Sequence, residues 1–226
     1  MSRSPLATPL QIVLALSIAT LLIASPLYVI VNPAYPGLQY RQANFPESIR
    51  FTPAERTRLA ETIWRYARGD ISLEEMASMQ TDSGQAALLP SETQHLVDVK
   101  RVVQAFFMAH GIALLVAVIA IALIRNDTAR LVRALYTGTA VAVGLLAVIG
   151  VSALINFDVF FTLFHSVFFE SGTWTFAYED TLIQLYPLKF WTNALLHYVV
   201  LIGALSAAEI GIAQVLVRRP DSERVA

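Results

Sequence analysis

The chain carries four histidines, His95, His110, His165 and His197, and no cysteine. The lack of cysteine removes disulfides, thiolate metal sites and a cysteine nucleophile together. Imidazoles are then the side chains whose unperturbed pKa lies nearest neutrality, so proton transfer at ordinary pH falls first to them. His95 stands in His95-Leu96-Val97-Asp98-Val99-Lys100-Arg101. On a helix, Asp98 shares its face and could accept the imidazole proton and orient the ring. A place in the first turn of a helix disfavours the imidazolium and leaves a neutral ring able to take a proton. His165 stands in Phe157-Asp158-Val159-Phe160-Phe161-Thr162-Leu163-Phe164-His165-Ser166-Val167-Phe168-Phe169. There Phe157, Phe161, Phe164 and Phe168 recur at helical spacing, which suits an interfacial helix dipping into lipid. Plain readings compete at both positions. His95 could be a solvated histidine at a helix start, and His165 a polar interruption in an aromatic belt. Trp174, Tyr178, Tyr186 and Trp191 read as belt residues by the same rule.

The elements that must position these residues are membrane helices. Hydrophobic residues make up 56% of the 226 and charged residues 15%, with mean hydropathy +0.57. A soluble domain is about half apolar and about a quarter charged. A net charge of −1 offers nucleic acid no electrostatic support, so no such partner is expected. Four long apolar stretches stand out: Leu10 to Val31, interrupted by Pro26; Val102 to Ile124; Ala134 to Phe157; and Ala194 to Val217. Each has about the 20 residues a helix needs to cross the hydrocarbon core. The predicted fold is therefore all-α, a four-helix transmembrane bundle in one membrane domain over 1–226. A small extracytoplasmic helical insert lies between the first and second spans. The first stretch also follows a short head with Arg3, as a signal peptide would. Its apolar run exceeds the about 7–15 residues of a signal core, so an uncleaved anchor is expected, with cleavage the alternative.

Orientation follows from the basic residues. Arg125, Arg130 and Arg133 lie in the linker after the second stretch; Arg3 lies in the head, and Arg218, Arg219 and Arg224 in the tail. All fall on one side of a four-span topology, and positive loops stay inside. Both termini are thus expected in the cytoplasm, with segments 32–101 and 158–193 outside. The first of these opens with turn formers and then offers three helix starts. They are Thr52-Pro53-Ala54-Glu55, with Gly69 as a stop, Ser72-Leu73-Glu74-Glu75, and Ser91-Glu92-Thr93-Gln94 after Pro90. The third is expected to run unbroken into the second span. All four histidines then fall in the outer half. His110 and His197 are embedded, and a hydrogen bond to a neighbouring helix accounts for each. Glu209 is embedded from the other side and is expected neutral or paired inside the bundle. Gly203, Ala207 and Gly211, with Ala140 and Gly144, offer small faces for close helix approach. No zinc-protease, serine-hydrolase or phosphate-loop motif is present, and no metal or organic cofactor is indicated.

Two stretches, His95 to Lys100 and Phe157 to Pro187, resemble motifs of the lipoprotein intramolecular transacylase family. The second includes Phe164-His165, Phe168-Phe169, Trp174 and Leu182-Ile183-Gln184-Leu185-Tyr186-Pro187. The four-span plan with an outer insert agrees with that family. Tyr178 departs from it, standing where a proline would be expected. The resemblance implies an acyltransferase in the bacterial cytoplasmic membrane, acting in the outer leaflet without a cofactor. Its substrate would be a lipoprotein whose N-terminal cysteine carries diacylglycerol. The sn-2 acyl chain would move to the cysteine α-amine, giving the lyso form. The resemblance makes His95 and His165 the catalytic pair, one as base and the other as acid or oxyanion stabiliser, their order open. Asp98 would orient His95. Lys100, Arg101, Phe164, Phe168 and Trp174 would help to hold the glyceryl and acyl parts. Two rivals stand beside this reading: a haem-binding membrane electron carrier with His110 and His197 as ligands, and a non-catalytic membrane sensor or assembly factor.

Overall fold

The computed structural model describes residues 7–218, so Arg3, Arg219 and Arg224 lie outside the described residues. Among the described residues ten helices run in the order α1 (Ala7–Ala24), α2 (Leu27–Ile30), α3 (Tyr35–Tyr40), α4 (Pro53–Arg68), α5 (Leu73–Ala77), α6 (Pro90–Ile124), α7 (Thr128–Ile155), α8 (Phe157–Phe168), α9 (Thr181–Leu185) and α10 (Leu188–Arg218). Among the described residues the only pairing of extended backbone is one isolated bridge, Gln80 to Ala86. Four helical stretches of the described residues are long and apolar enough to cross a membrane: Thr8–Ile30, Pro90–Ile124, Thr128–Ile155 and Leu188–Arg218. Each overlaps one of the four apolar stretches expected, and the last three begin six to twelve residues earlier. The first is broken at Ser25 and Pro26, where proline has no N–H to continue the ladder. The third stops two residues short of Phe157, because Asn156 leaves the helix and caps α8 through the Val159 N–H.

By its internal contacts the described chain divides into two compact units. The first takes the described parts of 1–26, 107–151 and 198–226. Its core is Leu14, Ala15, Ile18, Ala19 and Leu22 of α1, Ala117, Ala120 and Ile124 of α6, and Ala134 and Ala142 of α7. Among the described glycines the tightest site is Gly138, where a Cβ would lie 2.6 Å from the Ala15 carbonyl oxygen. The small residues singled out from sequence do not make such contacts. Gly144, Gly203 and Gly211 face open space, and Ala140 and Ala207 are exposed. Spacing alone does not say which face of a helix meets a neighbour. The embedded polar residues are partnered as expected: His110 Nε2 lies 3.2 Å from Ser25 Oγ, and the Thr139 hydroxyl donates to Glu209 at 3.2 Å.

The second unit comprises 27–106 and 152–197. Thr52 and Ser72 cap α4 and α5 by accepting from Glu55 N and Glu75 N, and Gly69 ends α4 at φ 90°. Helix α4 buries Leu59, Ala60, Ile63, Trp64 and Ala67, a helical stripe that faces the Tyr186 and Phe190 rings. His197 Nδ1 lies 2.8 Å from the Tyr35 hydroxyl, the expected link between helices. The third helix start differs from expectation. Helix α6 begins at Pro90 rather than after Ser91, and Glu92, not a serine, reaches back to the Leu89 N–H at 2.8 Å. The other Glu92 oxygen accepts from Leu182 N at 2.7 Å, so this fully buried carboxylate ties α6 to α9.

Candidate active site

Helix α8 and the first part of α6, both in the second unit, bring His95 and His165 together. Their ring centroids are 6.2 Å apart at an interplanar angle of 24°, and each residue is only 8% exposed. His165 sits one turn beyond Phe161 on α8. The Phe161 ring lies 3.9 Å from the imidazole, and the Phe161 carbonyl lies 2.8 Å from Nδ1. A carbonyl can only accept, so Nδ1 carries the proton and Nε2 of the neutral ring presents a lone pair. Burial holds the His165 imidazole below its ordinary pKa, and the hydrogen bond to the Phe161 carbonyl pulls the other way. His95 has its ring against Phe169 at 4.9 Å and Phe176 at 5.5 Å. Its Nδ1 is buried without a hydrogen-bond partner. Trp174 lies 4.8 Å over His165, and its indole Nε1 is likewise buried and unpartnered. Phe164 meets His165 at 5.6 Å; Phe168 packs on Phe164 at 5.0 Å and on Phe106 at 6.1 Å. Phe164 and Phe168 keep exposed faces, as do Leu163 and Val167.

The charged residues expected here are held by other groups. Asp98 makes no hydrogen bond to His95 Nδ1, which is buried without a partner; its carboxylate takes Arg101 at 2.8 Å. Arg101 is also three residues away and offers a full charge on a long arm, while His95 turns into the aromatic wall. Arg101 is thereby occupied and largely exposed, and Lys100 Nζ sits 4.2 Å over the Tyr66 ring. His95 also falls in the second turn of α6 rather than the first, because the helix starts earlier. The hydrogen bond that fixes a histidine ring is made by a backbone carbonyl, to His165. Phe161 belonged to the phenylalanine stripe and Phe169 to the quoted motif. Phe176 and the Glu92 clamp had no signal of their own.

Segment 169–180 owes its path to local bonds. Gly172 takes φ 85°, and Asp180 accepts from Ala177 N at 2.7 Å. The Tyr178 carbonyl accepts from Gln184 at 2.7 Å, with the Tyr178 side chain exposed. A tyrosine is therefore accommodated where a proline was expected. Thr181 Oγ donates to the Ala87 carbonyl, and Arg50 Nη1 donates to the Glu179 carbonyl at 2.8 Å. A neutral imidazole base beside a second imidazole, walled by five aromatic rings, can move a proton where water is scarce. Among the described residues no three His, Cys, Asp or Glu side chains are placed to hold a metal.

Residues 10–191 match the family model described as lipoprotein intramolecular transacylase Lit. An uncharacterized protein of Aquifex aeolicus (strain VF5) is 29% identical over 164 residues, 72% of this chain and 74% of that one. The fold is similar to that of the membrane integral lipoprotein intramolecular transacylase Lit from Bacillus cereus. The TM-score is 0.78 at 17% identity, over 99% of this chain and 100% of that one. A form of the Bacillus cereus protein with one histidine replaced by alanine gives 0.74 at 19% identity, over 98% and 96%.

Proposed function

The chain belongs to the lipoprotein intramolecular transacylase family, and from that premise we propose the reaction and the residues that carry it. The protein is a multi-pass membrane acyltransferase that acts on lipoproteins. It moves the sn-2 acyl chain of a diacylglyceryl-modified lipoprotein onto the α-amine of that lipoprotein's N-terminal cysteine. The observation that carries this reading is the His95–His165 pair, 6.2 Å apart and buried among aromatic rings. Amine and ester belong to one molecule, so no acyl-enzyme is needed, and confinement supplies effective molarity.

The tautomers divide the roles. His165, with its proton fixed on Nδ1 by the Phe161 carbonyl, uses Nε2 as the base that takes the amine proton. The amine nitrogen attacks the sn-2 carbonyl carbon and the carbonyl electron pair moves to oxygen. As the carbon–oxygen bond to glycerol breaks, the same imidazolium returns its proton to the sn-2 oxygen. His95 is the donor. An orphaned N–H costs more than an orphaned lone pair, so its buried Nδ1 is the bare nitrogen and Nε2–H faces the reacting oxygen.

The exposed faces of Phe164, Val167 and Phe168 meet acyl chains, and the substrate enters from the outer leaflet. In this orientation the Arg125–Arg133 linker and Arg218 face the cytoplasm, and both termini with them. The haem reading is not favoured: His110 and His197 are spent on Ser25 and Tyr35. The test is mass spectrometry of a lipoprotein N-terminal peptide from cells expressing the chain. An acyl group moved from glycerol to nitrogen supports the proposal; an unchanged diacylglyceryl form with a free amine refutes it.

A further inference from the structure

We propose that Trp174 is a catalytic residue, its indole N–H donating to the oxyanion that forms on the transferred acyl carbonyl. This rests on the transacylase reading and adds a group to it. An indole N–H can only donate, and burying it unpartnered forfeits a hydrogen bond it would have in water. Trp174 Nε1 is buried without a partner, in a ring lying 4.8 Å from His165 at an angle of 36°. Such an orphan beside reacting groups is a donor held ready for an oxygen that arrives with substrate.

The site needs that donor. His165 Nε2 is occupied with the proton that travels from amine to sn-2 oxygen, so it is not free to hold the carbonyl oxygen. His95 supplies one hydrogen bond. A tetrahedral oxyanion in apolar surroundings calls for a second, and oxyanion sites commonly use paired donors. The ring is fixed for this purpose. Its edge-on neighbour is Phe161 at 6.4 Å, the same residue whose carbonyl sets the His165 tautomer. The segment that carries it also places Phe169 and Phe176 on His95, so one stretch of chain lines both histidines.

Trp64 provides a contrast within the molecule. Its Nε1 is orphaned too, but its ring contacts are Tyr186, Phe190 and Trp191, with neither histidine among them. Its N–H therefore has no reacting oxygen to meet. The donated bond makes and breaks nothing covalent. It forms as the carbonyl electron pair shifts to oxygen and weakens when the amide carbonyl is restored.

The experiment uses the full-length chain in detergent and a synthetic lipopeptide with an N-terminal S-(2,3-diacylglyceryl)cysteine. Trp174→Phe keeps a ring against His165 and removes the N–H. The expected result is a kcat about 10²-fold lower, KM within about twofold of the parent, and an unchanged pH midpoint. A second variant places 3-benzothienylalanine at the same position. It keeps the bicyclic shape with sulfur in place of N–H, and the same loss is expected. A kcat within about threefold of the parent in Trp174→Phe overturns the proposal. So does recovery of the parent rate by the benzothienyl variant when Trp174→Phe is slow or misfolded, which would make the ring's shape the important property. A loss confined to KM overturns it as well. These outcomes differ from failure of the parent reading, in which the unaltered protein would leave the lipopeptide's acyl chain on glycerol.

Discussion

Replacing Glu92 by alanine separates the clamp from the chemistry. The carboxylate is fully buried and accepts two backbone hydrogen bonds, from Leu89 at 2.8 Å and Leu182 at 2.7 Å. Leu89 is exposed, so water can serve its N–H when the carboxylate is gone. Leu182 is buried, and its N–H would be left without a partner at a cost of about 1–3 kcal/mol. The lost bond at Leu89 and the void add about 1 kcal/mol. Local stability around α9 should therefore fall by about 2–4 kcal/mol. At about 1.4 kcal/mol per decade, amide exchange of segment 177–186 should quicken roughly 30- to 1000-fold in hydrogen-exchange mass spectrometry. Exchange within about threefold of the parent would refute the assignment of Glu92 as the tie between α6 and α9. Glu92→Gln, which keeps one acceptor oxygen, should fall between the two.

Three further outcomes are expected. Asp98→Asn breaks an exposed ion pair worth at most about 1 kcal/mol and should leave turnover within about threefold; a collapse to the rate of a His95 variant would show that the carboxylate orients the imidazole after all. In a histidine NMR titration, His165 should protonate below the ordinary value of about 6.5. Its folded pKa is depressed, so its contribution to stability is full above that value and is lost as pH falls through the folded pKa, with activity failing along the same limb. A midpoint above about 6.5 would contradict the buried, neutral base. Gly138→Ala puts a methyl 2.6 Å from the Ala15 carbonyl oxygen and should destabilise the detergent-solubilised protein by about 1–3 kcal/mol, whereas Gly144→Ala, in open space, should not.

Much of this arrangement was legible in the chain because membrane helices and caps obey local rules. The four apolar runs, the Thr52 and Ser72 caps and the Gly69 stop depend on hydropathy and on residues three apart. That His110, His197 and Glu209 would be partnered, though not by which residue, followed from the cost of an unpaired polar group in lipid. What escaped depends on which way a side chain turns. Asp98 lies three residues from both His95 and Arg101, and nothing in the sequence ranks an imidazole against a guanidinium. Lys100 stands two residues from Asp98 yet caps the Tyr66 ring. Glycine spacing marked Gly144, Gly203 and Gly211, while the close contact formed at Gly138, because α1 sets the face that α7 presents. The tautomer of His165 rests on a main-chain carbonyl, to which sequence is blind. Phe176 reaches His95 only through the turn at Gly172 and the bond between Ala177 and Asp180.

The central claim is that His165 and His95 together carry the acyl shift. Single-turnover rates of purified parent, His165→Ala and His95→Ala on a diacylglyceryl-cysteine lipopeptide test it most directly, with helicity checked by circular dichroism. Both variants should keep their helices and lose at least about 10²-fold in rate. Either variant turning over within a few fold of the parent would contradict the assignment.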